Sequence, residues 1–274
     1  MLFTLWTDDP TLAAAAARAG VARIGPDLET FGKHERQPNG DNRIADHLPS
    51  ALPRLRAVIG HARLHVRSNP LHRGLVEELE TCLEAGVTSV MLPMVRSVDT
   101  ARQVVAMIRG RAEIIVMVEH ADALPIVDEL AALDGVAELY VGANDLARSL
   151  GLPTRFSVLG SGLIETVAEA AHRRGRGFGF FGIARPDDAS LPVPADLVYA
   201  EQVRLGATNF VIARSFGATP QNIAGELDRV RERLATWRSC TESERATAVE
   251  ALRHHCAAVL PNRSAAHPLE RGSQ

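Results

Sequence analysis

Lysine is almost missing from this 274-residue chain. Lys33 is the single lysine among 30 basic residues, and the other 29 are arginine. A GC-rich genome would produce such a bias, but the consequence stands: Schiff-base chemistry could use only Lys33 or the terminal amine. Cysteine is scarce as well. Cys82, Cys240 and Cys256 are scattered and odd in number, which excludes a disulfide scaffold and points to reduced thiols in a cytoplasmic protein. No apolar run reaches the ~18 residues that a membrane span requires. Residues 1–10 carry Asp8 and Asp9 and lack the basic-then-apolar order of a secretory leader. A basic excess is also absent. The formal net charge is −3, so a dominant nucleic-acid surface is not expected.

Hydrophobic residues make up 46% of the chain, which excludes wholesale disorder. Eight short apolar segments stand out, at residues 1–7, 22–27, 62–66, 89–92, 113–118, 137–141, 177–183 and 209–213, each followed by a helical pattern. Glycine stands just past the helical patterns at Gly20, Gly86, Gly110, Gly175 and Gly206, the expected stop signal. Runs such as residues 114–118 are apolar on both faces, as parallel strands covered on both sides should be. Eight strand–helix units in this length predict a (β/α)8 TIM barrel over residues 1–238. An open doubly wound sheet is the alternative, but it would normally carry a glycine-rich turn after its first strand, and Trp6-Thr7-Asp8-Asp9-Pro10 has none. Residues 239–260 predict an extra C-terminal helix. Its apolar face (Ala246, Val249, Leu252, Cys256, Val259) needs a surface, either the barrel bottom or a neighbouring subunit. Residues 261–274 read as a flexible polar tail.

In a barrel, function gathers where strands end. The second strand offers Asp27, Glu29 and Thr30, then Lys33, His34, Glu35, Arg36 and Gln37. The third offers Arg67, Ser68 and Asn69, the fourth Pro93 and Met94, the fifth Glu119 and His120, the sixth Asn144, Asp145 and Arg148. Glu119 closes the most apolar strand, where an unpaired carboxylate is costly. Asp145 follows the next strand, and neighbouring strands lie only ~4.8 Å apart. The two carboxylates therefore either share a hard cation such as Mg²⁺ or Mn²⁺, or pair with arginines such as Arg67 or Arg148. Arg67 could stabilise an enolate oxygen or simply form a salt bridge. The charged loop after the second strand is long and polar, which suggests substrate contact, with Glu29 and the anion-binding candidate Arg36 foremost. Gly177, Gly179 and Gly182 lack a P-loop lysine and suggest close packing in the barrel wall.

Several of these residues fall in recognisable strings. Val66-Arg67-Ser68-Asn69-Pro70-Leu71 resembles the arginine motif of citrate lyase β-subunits. Met91-Leu92-Pro93-Met94-Val95 is similar to the fourth-strand motif of 2-oxo-3-deoxy-acid aldolases. Val118-Glu119 and residues 141–151, VGANDLARSLG, resemble two metal-ligand motifs, with Glu119 and Asp145 26 residues apart as in that family. Together they resemble the HpcH/HpaI aldolase and citrate lyase β-subunit family of phosphoenolpyruvate/pyruvate barrels, over roughly residues 20–215.

The resemblance implies a metal-dependent lyase or aldolase acting on a small 2-oxo acid. It implies that Glu119 and Asp145 hold Mg²⁺ or Mn²⁺ and that Arg67 stabilises the enolate. It further implies that backbone amides around Gly142, Ala143 and Asn144 hold the substrate carboxylate, and that the protein is a homo-oligomer. Many family aldolases carry a histidine directly after the second-strand glutamate. Here that residue is Thr30. Met117 and His120 also replace residues common in the family. The Arg67-Ser68-Asn69-Pro70 string and the absent histidine lean toward a citryl- or malyl-CoA type of lyase or a condensing enzyme with a CoA thioester partner. A barrel retained without catalysis is the third alternative.

Overall fold

The computed structural model describes residues 1–32 and 47–259. Strand β1 (Leu2–Trp6) leads into a helix whose start is written locally. Asp9 accepts a hydrogen bond from the Thr11 amide and Pro10 fills the first position of α1 (Pro10–Arg18). The order continues as β2 (Arg23–Gly25), α2 (Leu52–Arg56), β3 (Arg63–Arg67), α3 (Leu75–Glu84), β4 (Ser89–Leu92), α4 (Val98–Ile108), β5 (Glu113–Val118), α5 (Val127–Ala132) and β6 (Val136–Val141). After it come α6 (Ala143–Ser149), α7 (Arg155–Leu159), α8 (Leu163–Arg173), β7 (Gly177–Ile183), α9 (Ala195–Arg204), β8 (Asn209–Ile212), α10 (Ile223–Ser239) and α11 (Glu242–Ala258). Each strand pairs in parallel with the next, and β8 pairs with β1, so the sheet closes into an eight-stranded barrel. The TIM-barrel prediction is met. No described helix is long and apolar enough to cross a membrane.

Two local expectations need correction. The second strand is shorter than residues 22–27. Its ladder stops at Gly25 because Pro26 has no amide to donate, and only a single bridge, Asp27 with Arg67, lies beyond it. The single helical pattern expected after residues 137–141 is preceded by two further short helices, α6 and α7. Both are too short to show a helical period in sequence.

The strands are also less apolar than the pattern suggests. Most core side chains lie between the strands and the outer helices. Inside the barrel, Arg23, His65, Glu138 and Asn209 are buried near the strand starts. One step further along the strands sits a small apolar cluster of Met91, Ile115, Met117 and Tyr140, flanked by Trp6 and Val211. Beyond it the strand ends become polar again. Gly179 is a wall residue, as expected: a Cβ there would lie 2.7 Å from the Asn209 carbonyl oxygen and the Tyr140 ring.

The last helix begins with a capping box, in which Thr241 and Glu244 bond each other's backbone amides. It buries Ala248, Leu252 and Cys256, while Ala246 is exposed, so its inner face is rotated from the expected one. It packs on α9 and α7 of the same chain, on the flank of the barrel.

Candidate active site

The strand ends bring Arg67, Glu29, Glu119 and Asp145 toward one cavity of about 430 Å³ at the C-terminal face, whose described lining includes Arg67, Glu119 and Asp145. Strand register explains the placement. Ile24 lies opposite Leu64 in the β2–β3 pair, and the same offset sets Asp27 beside Arg67. Val118 lies opposite Val141, so Glu119 comes next to Gly142.

Arg67 is held from several sides. Its Nε and Nη2 donate to the two carboxylate oxygens of Asp27 at 2.8 and 2.6 Å, a bidentate pair. Nε also lies 3.3 Å from a Glu29 oxygen, and the guanidinium stands 5.8 Å from the centre of the Trp6 ring. Burial works against its charge, but Asp27 and Glu29 outweigh that and hold its pKa above the ordinary arginine value. The amide of Asp27 donates to Nδ1 of His47 at 3.0 Å. Asn69 fixes the following turn, accepting from the amides of Thr30 (2.8 Å) and Phe31 (3.1 Å) while Glu78 holds its side-chain amide.

Glu119 is almost wholly buried, at 2% exposure. Its Oε1 accepts from the Met94 amide at 2.8 Å. Met94 has φ +55°, a left-handed conformation that few side-chain-bearing residues adopt and that aims its N–H at the carboxylate. Burial, reinforced by the negative charge of Glu29 and Asp145, pushes the Glu119 carboxyl up to about 8. Gly142 lets this happen. A Cβ at that position would meet Glu119 Oε2 at 2.4 Å.

Asp145 sits in the first turn of α6, with Arg148 3.4 Å away. The helix start places the amides of Ala143 and Asn144 ahead of its first intrahelical hydrogen bonds, where they can meet an anion. Gly142 differs from the expectation. Its amide donates to the Val118 carbonyl at 3.1 Å, so its contribution is room for Glu119 rather than a hydrogen bond to substrate.

Other expectations change as well. Pro93 and Met94 are not among the described residues that line the cavity. Met91 is, and Met94 acts through Glu119. Glu29 is also absent from that lining and stands behind Arg67. His120 points elsewhere, capping the turn at Ala121–Ile126 by accepting from the Asp122 amide. Arg36, Lys33 and His34 lie outside the described residues. Sequence reasoning missed the Asp27–Arg67 pair, the His47 support and the Trp6 platform. No local signal pointed to the first, because it depends on the register between β2 and β3. Among the described residues, no group of three or more His, Cys, Asp or Glu side chains is arranged as a metal cluster.

The family model described as HpcH/HpaI aldolase/citrate lyase matches residues 35–172, half of the chain. The chain belongs to this family. Within it, the 2-keto-3-deoxy-L-rhamnonate aldolase of Escherichia coli O6:K15:H31 is 27% identical over 235 residues, 71% of this chain and 78% of that protein. The hydroxypyruvate/pyruvate aldolase of Sagittula stellata is 31% identical over 105 residues, 28% of this chain and 42% of the relative. The same fold occurs in the HpcH/HpaI aldolase of Desulfitobacterium hafniense DCB-2, with a TM-score of 0.60 and 18% identity over 88% of this chain and 93% of that one. It occurs again in a citrate lyase β subunit from M. tuberculosis solved with oxaloacetate and magnesium, with a TM-score of 0.58 and 23% identity over 87% of this chain and 96% of that one.

Proposed function

We propose that this HpcH/HpaI family protein is a carbon–carbon lyase of the divalent-cation-dependent aldolase type, cleaving or forming 2-oxo acids through a pyruvate-type enolate. The observation that carries the proposal is the buried Glu119 carboxylate. It faces the cavity beside Asp145, and both neighbouring carboxylates add to the cost of its charge. The donor set fits a hard cation: oxygen only, two carboxylates on adjacent strand ends, and a glycine that opens the space beside one of them. Glu119 and Asp145 would hold Mg²⁺ or Mn²⁺. When bound, the ion supplies positive charge at the point where enolate charge develops.

The protein's own groups do the rest. Arg67, fixed by Asp27 and charged at every working pH, presents its guanidinium to the cavity as the electrostatic partner of the enolate oxygen. Preorganisation matters here. A guanidinium already locked in place does not have to reorient as the charge forms. Glu29 is a positioning residue for Arg67. The amides of Ala143 and Asn144 orient the substrate carboxylate, and the apolar wall of Met91 and Met117 keeps water from beneath it.

The test is titration of chelator-treated protein with Mn²⁺ and oxalate, a mimic of the pyruvate enolate, beside Glu119→Gln, Asp145→Asn and Arg67→Ala. Oxalate should bind only with the cation present. Glu119→Gln and Asp145→Asn should lose the cation. Arg67→Ala should keep it and lose most oxalate affinity. Oxalate binding that ignores the cation, or cation binding unchanged in both carboxylate variants, would overturn the proposal.

A further inference from the structure

Three arginines line the cavity: Arg67, Arg155 and Arg214. Asp27 grips Arg67 through two hydrogen bonds, and Arg155 lies over the Phe156 ring with 4.9 Å to its centre. Arg214 is different. Among the described residues its guanidinium makes no hydrogen bond and no ion pair. Burial holds its pKa below the ordinary arginine value, Asp27 pulls the other way without cancelling this, and Arg67 adds to the lowering. The residue is exposed all the same, as a group on the wall of an open cavity must be. It still carries its charge at every working pH.

The fold fixes where Arg214 stands. After β8 ends at Ile212, the Ala213 amide makes one more bond, to the Ile183 carbonyl at 2.9 Å. The chain then turns over Arg214–Phe216. Phe216 is wholly buried and anchors the turn, and Gly217 closes it at φ +60°, its amide donating to the Arg214 carbonyl at 3.1 Å. The neighbouring strand adapts to this end of β8. The register of β7 shifts between Gly179 and Gly182, with Phe181 in the bulge at φ +50°, and a Cβ on Gly182 would lie 2.8 Å from the Ala213 Cβ. In the closed barrel β8 lies opposite β4, and β4 lies between the strands that end at Arg67 and Glu119. Arg214 therefore faces those two groups from across the cavity.

We propose that Arg214 is a further catalytic residue, whose guanidinium stabilises the oxygen on C4 of the substrate, the oxygen that becomes the aldehyde carbonyl. The inference rests on the lyase reading above and adds a second electrostatic partner to it. A pyruvate unit held by Arg67, Glu119 and Asp145 presents its C3, and the C4 bonded to it, to the far side of the cavity, where Arg214 stands. In cleavage of a 4-hydroxy-2-oxo acid the C4 hydroxyl gives its proton to water, which reaches the exposed Arg214. The C4 oxygen then forms its second bond to carbon as the C3–C4 bond breaks. The electron pair of that bond passes to C3 as the pyruvate enolate, which takes a proton from water. No oxidant or reductant is needed. Negative charge thus sits first on the C4 oxygen and then on the enolate oxygen, and the two arginines face these positions from opposite sides. Thr30, next to Glu29, cannot take the C4 proton as a histidine would, so a lower cost for the alkoxide matters more here.

The experiment follows two reactions of the Mn²⁺-loaded enzyme. One is cleavage of 4-hydroxy-2-oxopentanoate, which has a C4 hydroxyl and no second carboxylate. The other is exchange of the pyruvate methyl hydrogens with deuterium from the solvent, which forms the enolate without a C4 oxygen. Arg214→Gln should lower kcat for cleavage about 100- to 1,000-fold. Exchange and oxalate affinity should stay as in the wild type, since neither pyruvate nor oxalate has a C4. Arg214→Lys should restore part of the cleavage rate, because it returns the charge without the planar fork. Equal loss of cleavage and exchange, a raised KM with kcat kept, or cleavage unchanged in Arg214→Gln would each overturn the role at C4. A wild type with neither cation-dependent cleavage nor exchange would overturn the lyase reading and this inference with it.

Discussion

The two ends of the barrel interior handle buried charge in opposite ways. At the strand starts, Arg23 donates to Glu113 at 2.7 Å and to Glu138 at 2.9 Å, and Arg63 adds a second bond to Glu113. Asn209 bonds Glu138 and accepts from Thr4, so the cluster closes on itself. Burial lifts the Glu138 carboxyl above its usual range, but Arg23 and Asn209 both pull it back. At the strand ends, Asp27, Glu29 and Glu119 share the buried guanidinium of Arg67, with Asp145 acting on Glu119, and Asp27 takes the two best hydrogen bonds of Arg67. For Glu119, burial and two neighbouring carboxylates push the same way, and Arg67 and the Met94 amide pull back only in part. The first end is neutralised by groups the chain supplies. The second leaves the Glu119 carboxyl raised despite Arg67 and the Met94 amide. That is the physical difference between a cluster closed by opposite charges and one in which like charges crowd together, as the proposed cation site requires.

The sharpest way to break this contrast is to disturb the closed end. Arg23→Ala should cost about 3–5 kcal/mol of stability, because it strands Glu138 in the interior. Denaturant unfolding measures the loss, and cation binding by the surviving folded protein should be unchanged. A variant as stable as the wild type would erase the distinction.

The open end should show itself in pH. The folded-state pKa of Glu119 lies above its unfolded value of 4.5, so the folded protein holds a proton that the unfolded chain releases first. Cation-free protein should therefore be most stable below about pH 4.5, as far as this group is concerned. It should lose on the order of 2–4 kcal/mol as pH rises from there to about 8. Thermal melting across that range measures it. Glu119→Gln should remove the slope, and Mn²⁺ should flatten it in the wild type.

The smallest effect is steric. Gly142→Ala should cost about 1–3 kcal/mol, since the added methyl cannot share space with Glu119 Oε2. Here the readout is a paired one, melting temperature and Mn²⁺ affinity. Affinity should fall by a larger factor than in Arg23→Ala, although Arg23→Ala is the less stable protein.

Much of this architecture is legible in the chain's local patterns. The eight strand–helix units follow from apolar runs and from glycines such as Gly86, which takes the positive φ just past α3. Arg67, Glu119 and Asp145 are legible because each stands where a strand gives way to a loop. What is not legible depends on neighbours distant in sequence. Asp27 can be seen as a polar residue after a strand, but not as the bidentate partner of Arg67, which depends on the β2–β3 register. Met94 reads as a lining residue, and only its left-handed backbone shows that it serves Glu119 through an amide. Phe181 gives no signal at all, because a bulge has no period to detect.

The sequence by itself determined the barrel, its family and the carboxylates and arginine at its functional face, because periodicity and short motifs are local properties of a chain. Only the tertiary structure decided which of these groups are paired, which are buried against like charge, and what walls the rest of the cavity. Those outcomes depend on register, burial and close approach between residues 25 to more than 100 positions apart, and no local pattern encodes the distance between them.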